Sequence, residues 1–273
     1  MRFADHVVWI TGAGTGLGRA LALELARQGA DVALSGRRPD KLVEVGDAVR
    51  ALGRRALEVP LDVAADGACD EAVATITGTL GRLDVAIANA GFSVNGPFER
   101  LSLDDWRRQL DVNVIGAVAT AKASLPELRA RGGRLVFIAS VMGLMTLPGQ
   151  TAYSASKFAL RAIGLGLAQE LHGTGVSCTT IHPGFVESEI GLVDNRGELN
   201  PERVDRRPQK LMWPADKAAV VMADAIFSRR REHVFTAHGK AAGFLGRHLP
   251  GLVHFVATRG AIKAKSIVND KTR

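Results

Sequence analysis

The sequence predicts an α/β fold in which a parallel β-sheet carries helices on both faces, and three observations predict it. Apolar runs alternate with helical patterns from residue 6 to residue 237. The runs, such as HVVWIT at 6–11 and RLVFIAS at 134–140, lack polar alternation, which indicates strands covered on both faces. A glycine-rich turn, TGAGTGLGRA at 11–20, joins the first strand to the first helix. Right-handed crossovers then produce a doubly wound sheet with its ligand crevice at the carboxyl ends of the strands.

The elements follow in order along the chain. Seven strands are predicted, at residues 6–11, 31–36, 56–62, 83–91, 134–140, 176–184 and 232–237. Helices are predicted at residues 17–28, 39–52, 70–80, 103–131 and 151–171. No internal repeat or low-complexity linker interrupts this alternation. We therefore expect one domain over residues 1–273, with a core of 1–239 and a C-terminal extension of 240–273.

Composition narrows the class of protein. Hydrophobic residues make up 47% and charged residues 23% of the chain, a globular balance that excludes a disordered protein. The two cysteines, Cys69 and Cys178, lie far apart in apolar contexts, which favours free thiols in a reducing compartment and no metal site. The start has no signal-peptide form, and no apolar run reaches the ~18 residues of a transmembrane helix. We expect a cytoplasmic protein.

The glycine turn after the first strand indicates a phosphate-binding site. Glycine lets the backbone turn sharply and approach a pyrophosphate, which then lies on the N–H groups of the following helix. The spacing from Thr11 to Gly18 is Thr-Gly-x-x-x-Gly-x-Gly, and not the usual GxGxxG. We expect dinucleotide binding by this turn. Its residues with expected cofactor contacts are Gly12, Gly14, Thr15, Gly16, Leu17 and Gly18.

The end of the second strand selects the cofactor. A carboxylate at this place would bind a ribose 2′-hydroxyl and favour NAD, but the chain has Gly36 followed by Arg37 and Arg38. A guanidinium suits a 2′-phosphate, so NADP is favoured over NAD. The alternative interpretation is a solvated arginine pair before Pro39 begins a helix.

The prediction of which residues perform chemistry depends on the only tyrosine in the chain. Tyr153 and Lys157 are four residues apart, which places them on one face of a helix. By themselves they are equally typical of helix–sheet packing. Together with "LDV" at 61–63, "ANAG" at 88–91, Asn113, Ser140 and "HPGFVES" at 182–188, they resemble the short-chain dehydrogenase/reductase family over roughly residues 5–238. Ala88 departs from the family, which often has asparagine there.

The resemblance implies a Rossmann-type sheet of order 3-2-1-4-5-6-7 and a catalytic set. Tyr153 would be the general acid/base, and Lys157 would lower its pKa and hold the nicotinamide ribose. Ser140 would hold the substrate oxygen, and Asn113 would anchor a water linked to Lys157. The resemblance also implies further cofactor contacts, by Asp62, Val63, Asn89, Ala90, Gly91, Pro183, Gly184, Val186 and Ser188.

Two segments are expected to contact the substrate. One follows Ser140, and the other is the polar segment 192–214. No carboxylate-binding arginine lies in VMGLMTLPGQ at 141–150, so we expect a hydrophobic carbonyl or alcohol, of long-chain, cyclic or steroid-like type. The pocket residues expected beside Ser140 and Tyr153 are Met142, Leu144, Met145, Leu147, Phe92 and Phe185. The alternative is that these apolar residues only pack the loop and do not contact a substrate. Residues 192–214 are expected to form a mobile lid.

The positive charge is concentrated at the C-terminus. Residues 1–195 sum to −2, whereas residues 196–273 carry 16 basic and 7 acidic side chains, a net +9. Apolar residues recur at helical spacing from Leu245 to Val256, and Pro250 is expected to kink or restart the helix. The tail either packs on its own or a partner subunit or rests on an anionic membrane surface. Without an aromatic stacking platform, nucleic-acid binding is not expected.

These observations predict an NADP(H)-dependent oxidoreductase that interconverts a carbonyl and a secondary alcohol by hydride transfer. The resemblance implies a homodimer or homotetramer, formed through the long helices at 103–131 and 151–171. Two alternatives remain open. One is a 3-oxoacyl-carrier-protein-type reductase in which Arg107 and Arg108 dock an acidic carrier. The other is a catalytically silent nucleotide-binding sensor or partner module, which would need only the glycine turn and Arg37.

Overall fold

A single seven-stranded sheet organises the protein. The computed structural model describes residues 1–205 and 207–259. Every strand pair is parallel, and the order is β3-β2-β1-β4-β5-β6-β7. The strands are β1 (Val7–Thr11), β2 (Asp31–Gly36), β3 (Ala56–Pro60), β4 (Val85–Ala88), β5 (Arg134–Ile138), β6 (Ser177–His182) and β7 (Glu232–Val234). The predicted fold class and strand order are confirmed.

Helices connect the strands and cover both faces of the sheet. They are α1 (Gly16–Arg27), α2 (Pro39–Ala51), α3 (Ala68–Leu80), α4 (Leu103–Leu110), α5 (Gly116–Arg131), α6 (Thr151–Glu170), α7 (Ala215–Phe227) and α8 (Ala237–His248). Residues 250–259 are again helical, so a new helix begins at Pro250 as expected. Helix α7 was missed from the sequence, although its buried positions Ala218, Met222 and Ile226 recur at helical spacing.

Successive side chains of the central strand enter two different cores. Val8 and Ile10 of β1 pack in the layer that contains α1, α2 and α7. Val7 and Trp9 of the same strand pack in the layer that contains α3, α5 and α6. All four are at most 1% exposed. Burial on both faces explains why the strand sequences are apolar without alternation.

The helix predicted over 103–131 is interrupted, and this corrects the prediction. Residues Asp111–Ile115 form a π-helical turn between α4 and α5. The fully buried Asn113 lies in it, and its side chain bonds both backbone polar groups of Phe92. A π turn inserts one extra residue and is frequent at functional sites. We attribute the interruption to these bonds, which hold Asn113 toward the sheet.

The carboxyl edge of the sheet collects the predicted site. The glycine turn follows β1, Arg37 and Arg38 follow β2, and Asn89 follows β4. Ser140 and Pro183 come after β5 and β6 at the same edge. In an open parallel sheet this edge forms the ligand crevice.

Candidate active site

In the glycine turn between β1 and α1, backbone segments approach each other too closely for side chains to fit between them. A Cβ on Gly18 would overlap the carbonyl oxygen of Gly12 and the side-chain amide of Asn89. A Cβ on Gly12, whose φ is +66°, would lie 2.9 Å from Cα of Ala90. Thr15 is the N-cap of α1 but makes no side-chain cap hydrogen bond. The first N–H groups of α1 are therefore left without this side-chain acceptor, which suits an anion such as a pyrophosphate.

Asn89 holds the glycine turn in place. Its Nδ2 donates to the carbonyl oxygens of Thr11 and Gly12 at 2.9 Å and 3.1 Å. The Thr11 hydroxyl in turn accepts from the backbone N–H groups of Asn89 and Ala90 at 3.1 Å and 3.2 Å. The side chain of Asn89 thus acts on the shape of the turn, a role that the sequence interpretation did not assign to it.

The two arginines after β2 contact the segment that follows β6. Arg37 Nη2 donates to the carbonyl oxygen of Gly197 at 2.5 Å. Arg38 Nη2 lies 2.7 Å from the Glu189 carboxylate and 3.2 Å from the Thr15 hydroxyl. Of the other two residues expected here, Asp62 is exposed and Val63 is buried. Both guanidinium groups therefore lie at the crevice but have protein partners there.

Tyr153 and Lys157 share one face of α6. Lys157 is 4% exposed, and its Nζ donates to the carbonyl oxygen of Ile138 at 2.9 Å. The Nζ lies 5.7 Å from the centroid of the Tyr153 ring. A Cβ added to Gly91 would lie 3.6 Å from this Nζ. The ammonium thus stands beside both the phenol and the backbone after β4.

Burial is the largest influence on the pKa of Tyr153 and on the pKa of Lys157. Burial raises the pKa of Tyr153, although the Ser140 side chain and the charge of Arg207 act to lower it. Burial also lowers the pKa of Lys157 to about 8. The sequence interpretation expected Lys157 to lower the pKa of the phenol. In the protein alone the net direction is opposite, because loss of hydration penalises the phenolate.

Ser140 is fixed by its neighbours. It follows β5 and caps the one-turn helix Val141–Gly143, where its Oγ accepts from the Met142 N–H at 3.1 Å. Its carbonyl oxygen accepts from Nδ1 of His182 at 2.9 Å. The Ser140 side chain acts on the pKa of Tyr153, so the two hydroxyl groups are close.

The side-chain amide of Asn113 is bonded to protein groups. Its Oδ1 accepts from the Phe92 N–H at 3.0 Å, and its Nδ2 donates to the Phe92 carbonyl oxygen at 3.0 Å and to Ser156 Oγ at 3.1 Å. These bonds tie the π turn to the chain after β4 and to α6. The expected water that links Lys157 to solvent is not tested by this geometry.

The loop after β6 is held by two residues that the sequence interpretation missed. Arg207 donates through Nη2 to the Ser188 carbonyl oxygen at 2.7 Å and through Nη1 to Ser188 Oγ at 3.1 Å. His238 of α8 accepts from the Phe185 N–H at 3.0 Å and stacks on its ring, with centroids 5.4 Å apart. The remaining expected residues of this loop are Pro183, whose carbonyl oxygen accepts from Val141, Gly184, and the buried Val186.

The pocket residues separate into two groups. Met142, Met145 and Phe185 are partly exposed, and Met142 is bonded to Ser140 through its N–H. Leu144 differs from the expectation, because it is 2% exposed and packs against Gly243 of α8. Phe92, Val94 and Ala152 form a small buried apolar cluster, and Val193 packs against it.

A partly buried carboxylate behind the site, that of Glu232, joins four elements. Oε1 of Glu232, in β7, lies 2.8 Å from Arg161 Nε of α6 and 2.9 Å from His182 Nε2 of β6. Its Oε2 lies 2.7 Å from Arg247 Nη2 of α8. Burial acts to raise the pKa of Glu232, but hydrogen bonds from His182 and Arg161 and their charges hold it at about 2. Through His182 this cluster reaches the backbone of Ser140.

The family profile for short chain dehydrogenases matches residues 6–198. The chain belongs to this family. An uncharacterized oxidoreductase of Staphylococcus aureus is 38% identical over 205 residues, which cover 73% of this chain and 87% of the relative. An uncharacterized oxidoreductase of Myxococcus xanthus is 42% identical over 187 residues, 68% of this chain and 74% of the relative. The chain is thus a member of an oxidoreductase family.

Solved short-chain dehydrogenases share the fold. The enzyme of Burkholderia phymatum in complex with NAD aligns with a TM-score of 0.81 at 27% identity, covering 90% of this chain and 94% of that one. The enzyme of Burkholderia cenocepacia in complex with NADP aligns with a TM-score of 0.75 at 28% identity, covering 86% and 96%. The family profile ends before Arg207, Glu232 and α8.

Proposed function

We propose that this short-chain dehydrogenase interconverts a carbonyl and a secondary alcohol on a hydrophobic compound, with NADP(H) as cofactor. The observation that carries the proposal is the placement of Tyr153, Lys157 and Ser140 at the carboxyl edge of the sheet, beside the glycine turn. Structural neighbours in complex with NAD or NADP support a nicotinamide cofactor. A silent binding module would need the glycine turn but not a buried lysine beside a phenol.

The residues present fit such a cofactor. The close backbone approach at Gly12 and Gly18 and the N-terminus of α1 suit a pyrophosphate, and Gly91 leaves the Lys157 ammonium without a side chain in front of it. When bound, the nicotinamide supplies or accepts the hydride. Lys157 would hold the ribose hydroxyls, and Ser188 would bind near the carboxamide or pyrophosphate.

Tyr153 and Ser140 would perform the proton chemistry. In the direction of reduction, the Tyr153 hydroxyl donates a proton to the substrate oxygen, and in oxidation the phenolate removes it. The Ser140 hydroxyl donates a hydrogen bond to the same oxygen and so fixes its position. Because burial raises the pKa of Tyr153, the proton-donating form prevails at neutral pH.

Partly exposed apolar side chains support a hydrophobic substrate. Met142, Met145, Phe185 and Val193 are partly exposed, whereas Phe92 is buried. The carrier-linked alternative has less support, because Arg107 is paired with Asp104 and Arg108 with Asp105. Exposed apolar side chains on α4 and α6, such as Leu103 at 71%, support self-association as a homodimer or homotetramer.

A substrate panel tests the proposal. Purified protein is mixed with NADPH and a set of long-chain, cyclic and steroid-like ketones, and the loss of NADPH absorbance is followed. We expect turnover of hydrophobic ketones and little turnover of small polar ones. Cofactor binding without turnover of any carbonyl or alcohol would instead support the silent module. Turnover restricted to acyl thioesters would support the carrier-linked alternative.

Cofactor preference is tested separately, through Arg37 and Arg38. A 2′-phosphate would replace Gly197 and Glu189 as the partner of these guanidinium groups. We expect Arg38→Ala and Arg37→Ala each to weaken NADPH binding by about 10- to 100-fold, the equivalent of one charge-assisted hydrogen bond, and to leave NADH binding unchanged. Fluorescence titration measures both constants. Arg107→Ala, an exposed arginine on α4, is the control. NADH affinity equal to or above that of NADPH in wild type would contradict NADP preference.

A further inference from the structure

The C-terminal helical segment, residues 237–259, exposes an apolar surface. It contains α8 and the helical residues 250–259. Five large apolar side chains lie between 47% and 63% exposed, namely Phe244, Leu249, Leu252, Phe255 and Val256. An apolar group of this size on consecutive helical turns is typical of an interaction surface.

The same part of the chain is free of carboxylates. Between Glu232 and Asp270 the sequence has no aspartate or glutamate, but it has five basic residues. These are Lys240, Arg247, Arg259, Lys263 and Lys265. Arg247 is paired with Glu232, and Arg259 lies over the exposed Phe255 ring at 4.1 Å from its centroid. Among the described residues, Lys240 and Arg259 thus lie with the exposed apolar side chains on a helical segment that has no carboxylate of its own, and Glu232 of β7 pairs with Arg247.

The helix that carries part of this surface packs against the pocket loop. A Cβ on Gly246 of α8 would lie 2.8 Å from Cβ of Met145, and Leu144 packs against Gly243. His238, at the first turn of α8, stacks on Phe185. The inner side of α8 therefore covers the pocket loop while its outer side remains exposed.

We propose that the C-terminal helical segment binds an anionic lipid bilayer surface and presents the pocket mouth to it. Apolar side chains would enter the headgroup boundary, and the basic side chains would meet lipid phosphates. Within the described residues no helix is both long and apolar enough to cross a bilayer, so the contact is peripheral. A second copy of the chain is a poorer partner, because a two-fold contact would bring two carboxylate-free cationic surfaces together.

The proposal deepens the proposed function, since a lipophilic ketone dissolved in the bilayer would then reach Tyr153 without crossing water. The binding itself does not depend on turnover. Failure of the substrate panel therefore leaves the membrane contact to be judged by its own assay.

Vesicle co-sedimentation of the full chain tests the contact. The vesicles contain phosphatidylcholine alone or phosphatidylcholine mixed with phosphatidylglycerol. We expect binding to the mixed vesicles and weak binding to phosphatidylcholine, with the difference reduced at high salt. Phe255→Ser with Val256→Ser should lower the partition constant by on the order of tenfold or more, and Arg259→Glu should lower it severalfold on mixed vesicles.

A matched control comes from another exposed apolar side chain. Val43→Ser, on α2 and 49% exposed, should bind vesicles as wild type does. Circular dichroism melting confirms that the variants stay folded, as expected for exposed positions. Absence of binding to mixed vesicles would overturn the proposal, and so would wild-type binding by the Phe255→Ser, Val256→Ser variant. If that variant changes only the oligomeric state in light scattering, the surface is a subunit contact and the proposal is wrong.

Discussion

Replacing Tyr153 with phenylalanine is expected to reduce kcat for ketone reduction by about a thousandfold, the range of a lost general acid. The ring and its packing are kept, and only the hydroxyl that would donate the proton is removed. Cofactor affinity and thermal stability should stay close to wild type. Steady-state kinetics with NADPH, together with a cofactor titration and a melting curve, measure the three quantities.

The pH dependence makes this prediction specific. Burial raises the pKa of Tyr153, so the reducing direction should proceed at neutral pH with the phenol already protonated. Oxidation needs the phenolate, and its rate in wild type should therefore rise with pH. Lys157 loses its charge at a pKa of about 8, which limits its support of the phenolate above that pH. Tyr153→Phe should lose the rise in the oxidation rate.

The control lies on the same helix. Phe158→Leu changes a partly exposed aromatic residue of α6 that the site does not use, and it should retain wild-type rates. If Tyr153→Phe is folded, binds cofactor and turns over at the wild-type rate, the proton chemistry assigned to Tyr153 is wrong. The membrane proposal would survive that result, because it concerns a different surface.

The fold was predictable because buried strands have a local apolar pattern in the sequence. The strands β1, β2, β4, β5 and β6 each have four or five consecutive buried residues, and the glycine turn marks the first strand–helix junction. No local sequence pattern indicates the π turn at Asp111–Ile115. It depends on bonds between Asn113 and Phe92, which lie 21 residues apart, and such long-range bonds are invisible to a local pattern.

The site was predictable in part for the same reason. The glycine turn and the tyrosine–lysine pair are short local patterns, and the structure brings them to one edge of the sheet. Arg207 and His238 act on the loop after β6 from positions beyond it in sequence, so only the fold shows them. Leu144 was expected in the pocket from its position after Ser140, but α8 covers it, and no local pattern predicts that contact.

Glu232→Gln is expected to lower the free energy of unfolding by about 3 kcal/mol at neutral pH. The value follows from the pKa of Glu232, which falls from the model-compound value of 4.5 to about 2, at about 1.4 kcal/mol per pH unit. Glutamine keeps the size of the side chain but leaves the positive charges of Arg161 and Arg247 without a carboxylate. Urea unfolding of both proteins measures the difference.

The pH dependence of that difference identifies its source. A carboxyl whose pKa is lower in the folded protein stabilises the fold above its unfolded pKa, and this contribution disappears as the folded pKa is approached. The difference between wild type and Glu232→Gln should thus be constant above pH 4.5 and shrink as the pH falls toward about 2. Other carboxyl groups titrate in both proteins and cancel. Glu99→Gln, at an exposed position, should differ from wild type by less than about 0.5 kcal/mol throughout.

The same variant connects stability to catalysis. Glu232 faces Nε2 of His182, whose Nδ1 donates to the carbonyl oxygen of Ser140. Loss of the carboxylate should let the imidazole move and misplace Ser140, so kcat for ketone reduction should fall severalfold even at temperatures where the variant is fully folded. NADPH affinity should not change, because the glycine turn lies on the far side of the crevice. A difference in unfolding free energy that does not shrink in acid would show that the charge of Glu232 is not what holds β6, β7, α6 and α8 together.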